Sequence, residues 1–194
     1  MSRVKDNPPT TAARACPRPC FLSSAIDYHL KQADSRLQRG NVLPTWLFLQ
    51  INDFFYTLPQ DLSDAVEAQQ SLEVIRDCCV VFMPEAVTLV HEGAITAASD
   101  LHSYDVVMID LETPYFDVQV ISDIHRHENG AYAGLSAPLR CDNLREATGM
   151  SKFYPSRPPS ARERTAARER LEDSIGIDFV AEACAQADET ATVA

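Results

Sequence analysis

The chain has 194 residues, with 28 acidic against 17 basic side chains, a formal net charge of −11 and a sequence pI near 4.8. So acidic a surface repels phosphate backbones and anionic lipid, which argues against nucleic acid and membrane surfaces as partners. The 45% hydrophobic share is enough for a sizeable core, while no apolar run approaches the roughly 20 residues of a membrane span.

In chain order, residues 1–40 read as a tail. Its first part, with Pro8, Pro9, Pro17 and Pro19 among polar residues, favours disorder. Residues 1–11 have no apolar core and so do not form a secretory signal. Cys16 and Cys20 form a C-x-x-x-C pair with no second pair nearby, which reads as two free thiols rather than half of a zinc site. The irregular spacing of the six cysteines points to a reducing compartment, the cytoplasm or nucleus. Residues 21–39 predict one helix, with Leu22, Ile26, Leu30 and Leu37 on one face and Gly40 at its end.

A domain over residues 41–176 follows, then an acidic flexible tail over 177–194. Residues 46–51 predict a first strand and 63–79 a helix with Val66, Leu72, Ile75 and Cys79 toward the core. A second strand is expected over 86–90, a helix over 93–102, and a fully buried strand over 106–109. Residues 117–128 show helical spacing through Val118, Val120, Ile121 and Ile124. Short strands at 131–135 and 152–154, a polar helix at 139–148 and a charged helix at 160–175 complete the pattern. Strands alternating with helices predict an α/β fold, a doubly wound, five-stranded parallel sheet. In such folds chemistry collects at the carboxyl ends of the strands.

Asp110 stands at one such end, after the apolar run Val106-Val107-Met108-Ile109. A carboxylate emerging there can ligate a metal or accept a phosphoryl group, and it can also simply cap a turn. His125 and His127 lie near a helix end with no further ligand close in sequence, and read as solvated.

Residues 104–110, with Pro114 and Asp117 beyond, resemble the phosphoacceptor segment of response-regulator receiver domains. Gly134-Leu135-Ser136-Ala137 is similar to that family's Ala-Leu-Thr/Ser-Ala strand end. Ala147-Thr148-Gly149-Met150, followed by Phe153-Tyr154-Pro155-Ser156-Arg157-Pro158, is similar to its Ala-Gly-Met, aromatic, Lys-Pro series. The likeness extends over residues 87–171, and the family's topology is flavodoxin-like. It departs at Asn52, where an acid is usual, at Thr113 for Met, Val118 for Gly and Arg157 for Lys.

The resemblance implies a signalling domain rather than an enzyme. Asp110 would accept a phosphoryl group from a histidine kinase or histidine-phosphotransfer protein. Mg2+ would be held by Asp53, Asp110 and the backbone carbonyl of Glu112. Ser136 and Arg157 would bind phosphoryl oxygens, and Tyr154 would be the switching aromatic. Members of the family often pair through their last helices, which implies a homodimer as a further partnership. The departures favour an alternative, a degenerate pseudo-receiver acting as a phosphorylation-independent protein-interaction module. A small metal-dependent α/β phosphatase ranks third, for want of a second reactive group near Asp110.

Overall fold

A computed structural model describes residues 19–52, 54–58, 65–96, 103–142 and 153–191. The elements are α1 (Pro19–Gln38), β1 (Trp46–Ile51), β2 (Phe54–Leu58), α2 (Ala65–Val81), β3 (Ala86–Thr96), β4 (Ser103–Glu112), β5 (Asp117–Arg126), β6 (Tyr132–Leu135), β7 (Leu139–Asp142), α3 (Ala161–Ile175) and α4 (Ile177–Ala191). The strands form one seven-stranded sheet in the order β2-β1-β3-β4-β5-β6, with β7 also paired to β5. Every pairing is antiparallel.

This overturns the five-stranded parallel, flavodoxin-like sheet expected from the alternation of elements. Strand replaces helix over the described part of two expected crossover helices, while 97–102 lie outside the described residues. Residues 93–96 continue β3, so β4 folds straight back on it with Val87 opposite Glu112 and Thr96 opposite Ser103. Residues 117–126 form β5, which is rich in Val and Ile; its buried residues Val118, Val120, Ser122 and Ile124 recur every second position. That alternation places one side of a strand in a core, and β-branched residues suit a pleated surface. The helical reading counted the same apolar residues at the wrong period. Successive strands β3, β4 and β5 pair antiparallel, as directly connected strands can.

Other segments also differ. Residues 139–142 are a strand paired with β5, and the rest of the expected 139–148 helix lies outside the described residues. Phe153 and Tyr154 form a buried turn instead of a strand. Residues 177–191, read as a tail, form α4, whose Val180 and Ala183 are fully buried.

The helix expected over 21–39 is α1, and it covers one face of the sheet. Ala25, His29, Ala33 and Leu37 recur at intervals of four and are buried, a stripe that lies along one side of a helix. It packs on Phe48, Val90, Val107, Ile109, Leu111, Val118 and Val120. Two contacts fix it laterally. The Tyr132 hydroxyl hydrogen-bonds Asp34, and the Arg36 guanidinium lies 4.8 Å from the Trp46 ring centroid. Gly40 ends the helix in the left-handed conformation (φ 72°), with its N–H donating to Leu37 O at 3.0 Å.

On the other face α2, α3 and α4 cover β1 and β2. The second core joins Leu47, Leu49, Ile51, Leu58 and Val87 to Ile75, Cys78, Phe82, Leu171 and Val180. Arg170 forks onto Asp77 at 2.8 and 2.6 Å and ties α3 to α2. β1 and β2 pair directly, with Ile51 opposite Phe54. Asn52 adopts the left-handed conformation (φ 56°) that Asn tolerates, and its Nδ2 donates to Gln186 O of α4 at 2.5 Å.

At the start of α3, Ser160 Oγ accepts from the Glu163 N–H at 3.3 Å, and Glu163 Oε2 accepts from the Ser160 N–H at 2.7 Å. This capping box satisfies two helix-end donors. Ser160→Ala is expected to cost about 1 kcal/mol in urea unfolding. A change within error would mean that the cap carries no stability.

Candidate functional site

The sheet is covered unevenly. The strand residues in the second core come from β1, β2 and the start of β3. Beyond them, the same face continues over β3, β4, β5 and β7. Alternate side chains share a face, and the register sets their rows. One row runs Leu89, Asp110, Gln119, Cys141 and the next runs His91, Met108, Ile121, Leu139. A third runs Gly93, Val106, Asp123, and Ile95 pairs with Tyr104. Tyr104 is 43% and Leu139 63% exposed, while His91, Met108, Gln119, Ile121 and Cys141 are half-buried. The result is a mixed apolar and polar surface on rigid strands.

A polar trio sits at its centre. Gln119 Nε2 donates to Asp110 Oδ1 at 2.7 Å, and His91 Nε2 lies 3.4 Å from Asp110 Oδ2. Asp110 therefore lies within β4, between Leu89 and Gln119, rather than at a strand end facing a cleft. Beside the trio, a Cβ built on Gly93 would lie 2.3 Å from Met108 Cε. The methionine methyl thus occupies the space that a larger residue at 93 would take.

The other expected site residues lie in separate groups. Ser136 Oγ accepts from the Asp123 N–H at 2.8 Å, and Ser122 Oγ donates to Ser136 O at 2.8 Å, so Ser136 fastens the chain after β6 to β5. Arg157 forks onto Glu163 at 3.0 and 2.5 Å. Its guanidinium and the Ser160 donors hold the Glu163 carboxyl at about 2, well below the usual range. Arg157 also borders a groove of about 370 Å3 with Val80, Pro159 and Arg170, but both guanidiniums there already carry carboxylate partners.

Tyr154 is buried, its hydroxyl donating to Pro84 O at 3.0 Å. Glu112 acts through its side chain: buried at 1% exposure, its Oε1 accepts from the N–H groups of Phe153 at 2.7 Å and Tyr154 at 3.3 Å. Asp53 lies outside the described residues. His125 and His127 are exposed.

Among the described residues no group of three His, Cys, Asp or Glu side chains comes together to hold a metal ion. Of the Mg2+ ligands expected from the resemblance, Asp110 and Glu112 are among the described residues and Asp53 is not. The buried Cys78 and Cys79 thiols are pushed up by burial, Cys79 further by Cys78 and Glu112, and so are poor nucleophiles.

The sequence reading missed His91, Gln119, Met108, Ile121 and Leu139 as neighbours. The signal was there in His91-x-Gly93-x-Ile95 and Gln119-x-Ile121-x-Asp123, an alternation that belongs to a strand. Among the described residues no helix is long and apolar enough to cross a membrane. In comparisons with protein families, curated proteins and solved structures, nothing matches this chain.

Proposed function

We propose that this chain is a protein-interaction module that receives its partner on the sheet face over β3, β4, β5 and β7, which lies beyond the second core of the described residues. One observation carries the reading: among the described residues the second core stops at the start of β3, while the sheet continues through β4, β5, β6 and β7, with Tyr104 and Leu139 exposed. Exposed faces that mix aromatic, Met and aliphatic side chains with fixed polar groups are typical of contact surfaces. Strands hold such groups in place, so little order need be imposed on binding.

A photo-crosslinking residue at Leu139 tests this, with Val42, 79% exposed and remote in sequence, as the control. A discrete adduct is expected from position 139 in cells and not from 42, and it should vanish with Ile121→Arg in a chain that still folds by circular dichroism. Equal adducts from both positions, or none from 139, would overturn the reading.

Phosphoryl acceptance at Asp110 is tested in parallel. Incubation with Mg2+ and a small phosphodonor is expected to leave the intact mass unchanged, because both carboxylate oxygens already face Gln119 and His91. A phosphoryl adduct that disappears in Asp110→Asn would restore the phosphorelay reading.

A further inference from the structure

We infer that Asn129, at the tip of the β5–β6 hairpin, is a site of slow self-modification, in which water converts its side-chain amide to aspartate or isoaspartate, and that the isoaspartate form loosens the hold of β6 on α1. The chain has five asparagines, Asn7, Asn41, Asn52, Asn129 and Asn143, followed by Pro, Val, Asp, Gly and Leu. Asn129 alone precedes glycine. The reaction begins when the backbone nitrogen of the next residue attacks the asparagine Cγ, and a side chain on that residue stands in the way. Gly130 has none, and a Cβ built there would meet nothing within 4 Å.

The hairpin places the reacting atoms in water, since residues 125–131 are all exposed. The loop Glu128-Asn129-Gly130 closes on His127 and Ala131. The His127 N–H donates to Ala131 O and the Gly130 N–H to His127 O, each at 2.8 Å. Such a three-residue loop ends on a residue in the left-handed conformation, here Gly130 at φ 81°. The Ala131 N–H donates to Asn129 Oδ1 at 3.0 Å. That donor faces the oxygen on which negative charge gathers as Cγ is attacked, and so stabilises it. The His127 carbonyl holds the proton that Gly130 must lose, so attack waits for that bond to open. At an exposed tip the opening costs little.

The steps balance with water alone. Gly130 N gives its proton to solvent and bonds to Cγ. The Cγ–Nδ2 bond breaks and ammonia leaves, closing a cyclic imide. Water then adds to one of the imide carbonyls. Breaking the new N–Cγ bond yields aspartate with the backbone unchanged. Breaking the bond from the Asn129 carbonyl carbon to Gly130 N yields isoaspartate, whose chain runs through Cγ and is longer by one methylene. That methylene falls inside the loop that pins Ala131 against His127, and Tyr132 follows directly. Tyr132 pairs with Arg126 beside a register shift in the ladder, and its hydroxyl hydrogen-bonds Asp34 of α1. Loss of loop closure therefore releases Tyr132 and its grip on α1 before the rest of the sheet.

The test ages the full chain in mildly alkaline buffer. Trypsin cleaves after Arg126 and Arg140 and releases residues 127–140, in which Asn129 is the only side-chain amide. This peptide is expected to gain about 1 Da and to separate into two products, one of them a substrate for an isoaspartyl methyltransferase. Conversion should run at least about tenfold faster than at Asn41, which is exposed but followed by Val42. It should slow in mildly acidic buffer, where the Gly130 nitrogen keeps its proton. In the converted chain the amides of Tyr132 and of α1 around Asp34 should exchange about tenfold faster. Freshly prepared Asn129→Asp, which adds the charge without the methylene, should exchange at the original rate. Conversion at Asn129 no faster than at Asn41 would overturn the modification. Conversion with unchanged exchange at Tyr132 and α1, or an equal quickening in Asn129→Asp, would overturn the link to α1.

Discussion

Lowering the pH from 7 to 5 is expected to remove about 2 kcal/mol of folding stability through one residue, His29. Its side chain is 1% exposed on the buried stripe of α1, with its ring centroid 4.5 Å from that of Phe48 and 5.2 Å from that of Tyr28. Burial lowers its pKa from 6.5 to about 4. Below pH 6.5 the unfolded chain takes up a proton that the folded chain refuses until about pH 4. The unfolded state therefore binds more protons across this window, and stability falls as pH falls. The neutral imidazole's contribution is fully present above 6.5 and exhausted below 4. Urea titrations at pH 7 and pH 5 measure the difference. His29→Leu should lose much less stability over the same interval, whatever its absolute stability. An unchanged pH dependence in that variant would show that His29 is not the titrating group.

Glu112→Ala is expected to destabilise the fold by about 3 kcal/mol, against about 1 kcal/mol for Glu112→Gln. The carboxylate sits in β4 between Val87 and Asp117 and accepts two backbone N–H groups of the Phe153 turn. Alanine leaves those buried donors without this acceptor, which costs the desolvation of each. Glutamine keeps an oxygen in place and gives up only the charge. The turn also holds Tyr154 over Pro84, so amide exchange at 153 and 154 should quicken in the alanine variant before the rest of the sheet opens. Equal destabilisation by both substitutions would mean that the negative charge, lost in both, carries the effect rather than the acceptor oxygen that glutamine keeps.

These two residues show what was legible and what was not. α1 could be found from its apolar spacing and Gly40, yet His29 did not announce itself as a core residue. Only the sheet beneath places it against Phe48. Glu112 entered the sequence reading through its backbone carbonyl at a supposed metal site, whereas its side chain anchors a turn some forty positions later. The expected grouping of Asp110, Ser136 and Arg157 relied on parallel strands delivering their carboxyl ends to one edge. In the antiparallel sheet Asp110 bonds across to β5, Ser136 fastens the chain end of β6, and Arg157 closes the cap of α3.

The amino-acid order by itself determined the local elements whose pattern admits one period. These are α1, β1, α2 and α3, whose apolar spacing admits one reading, together with the net acidity of the chain. It could not determine β5, because Val118, Val120, Ile121 and Ile124 satisfy both a helix and a strand until a neighbour supplies the hydrogen bonds. Nor could it tell which half of the sheet α2, α3 and α4 cover, since that depends on where three helices distant in the chain come to rest. Local backbone preferences are worth tenths of a kcal/mol per residue, and burial against a partner element is worth several times more. Where the two compete, tertiary packing decides, and here it decided the antiparallel sheet and the surface that sheet presents.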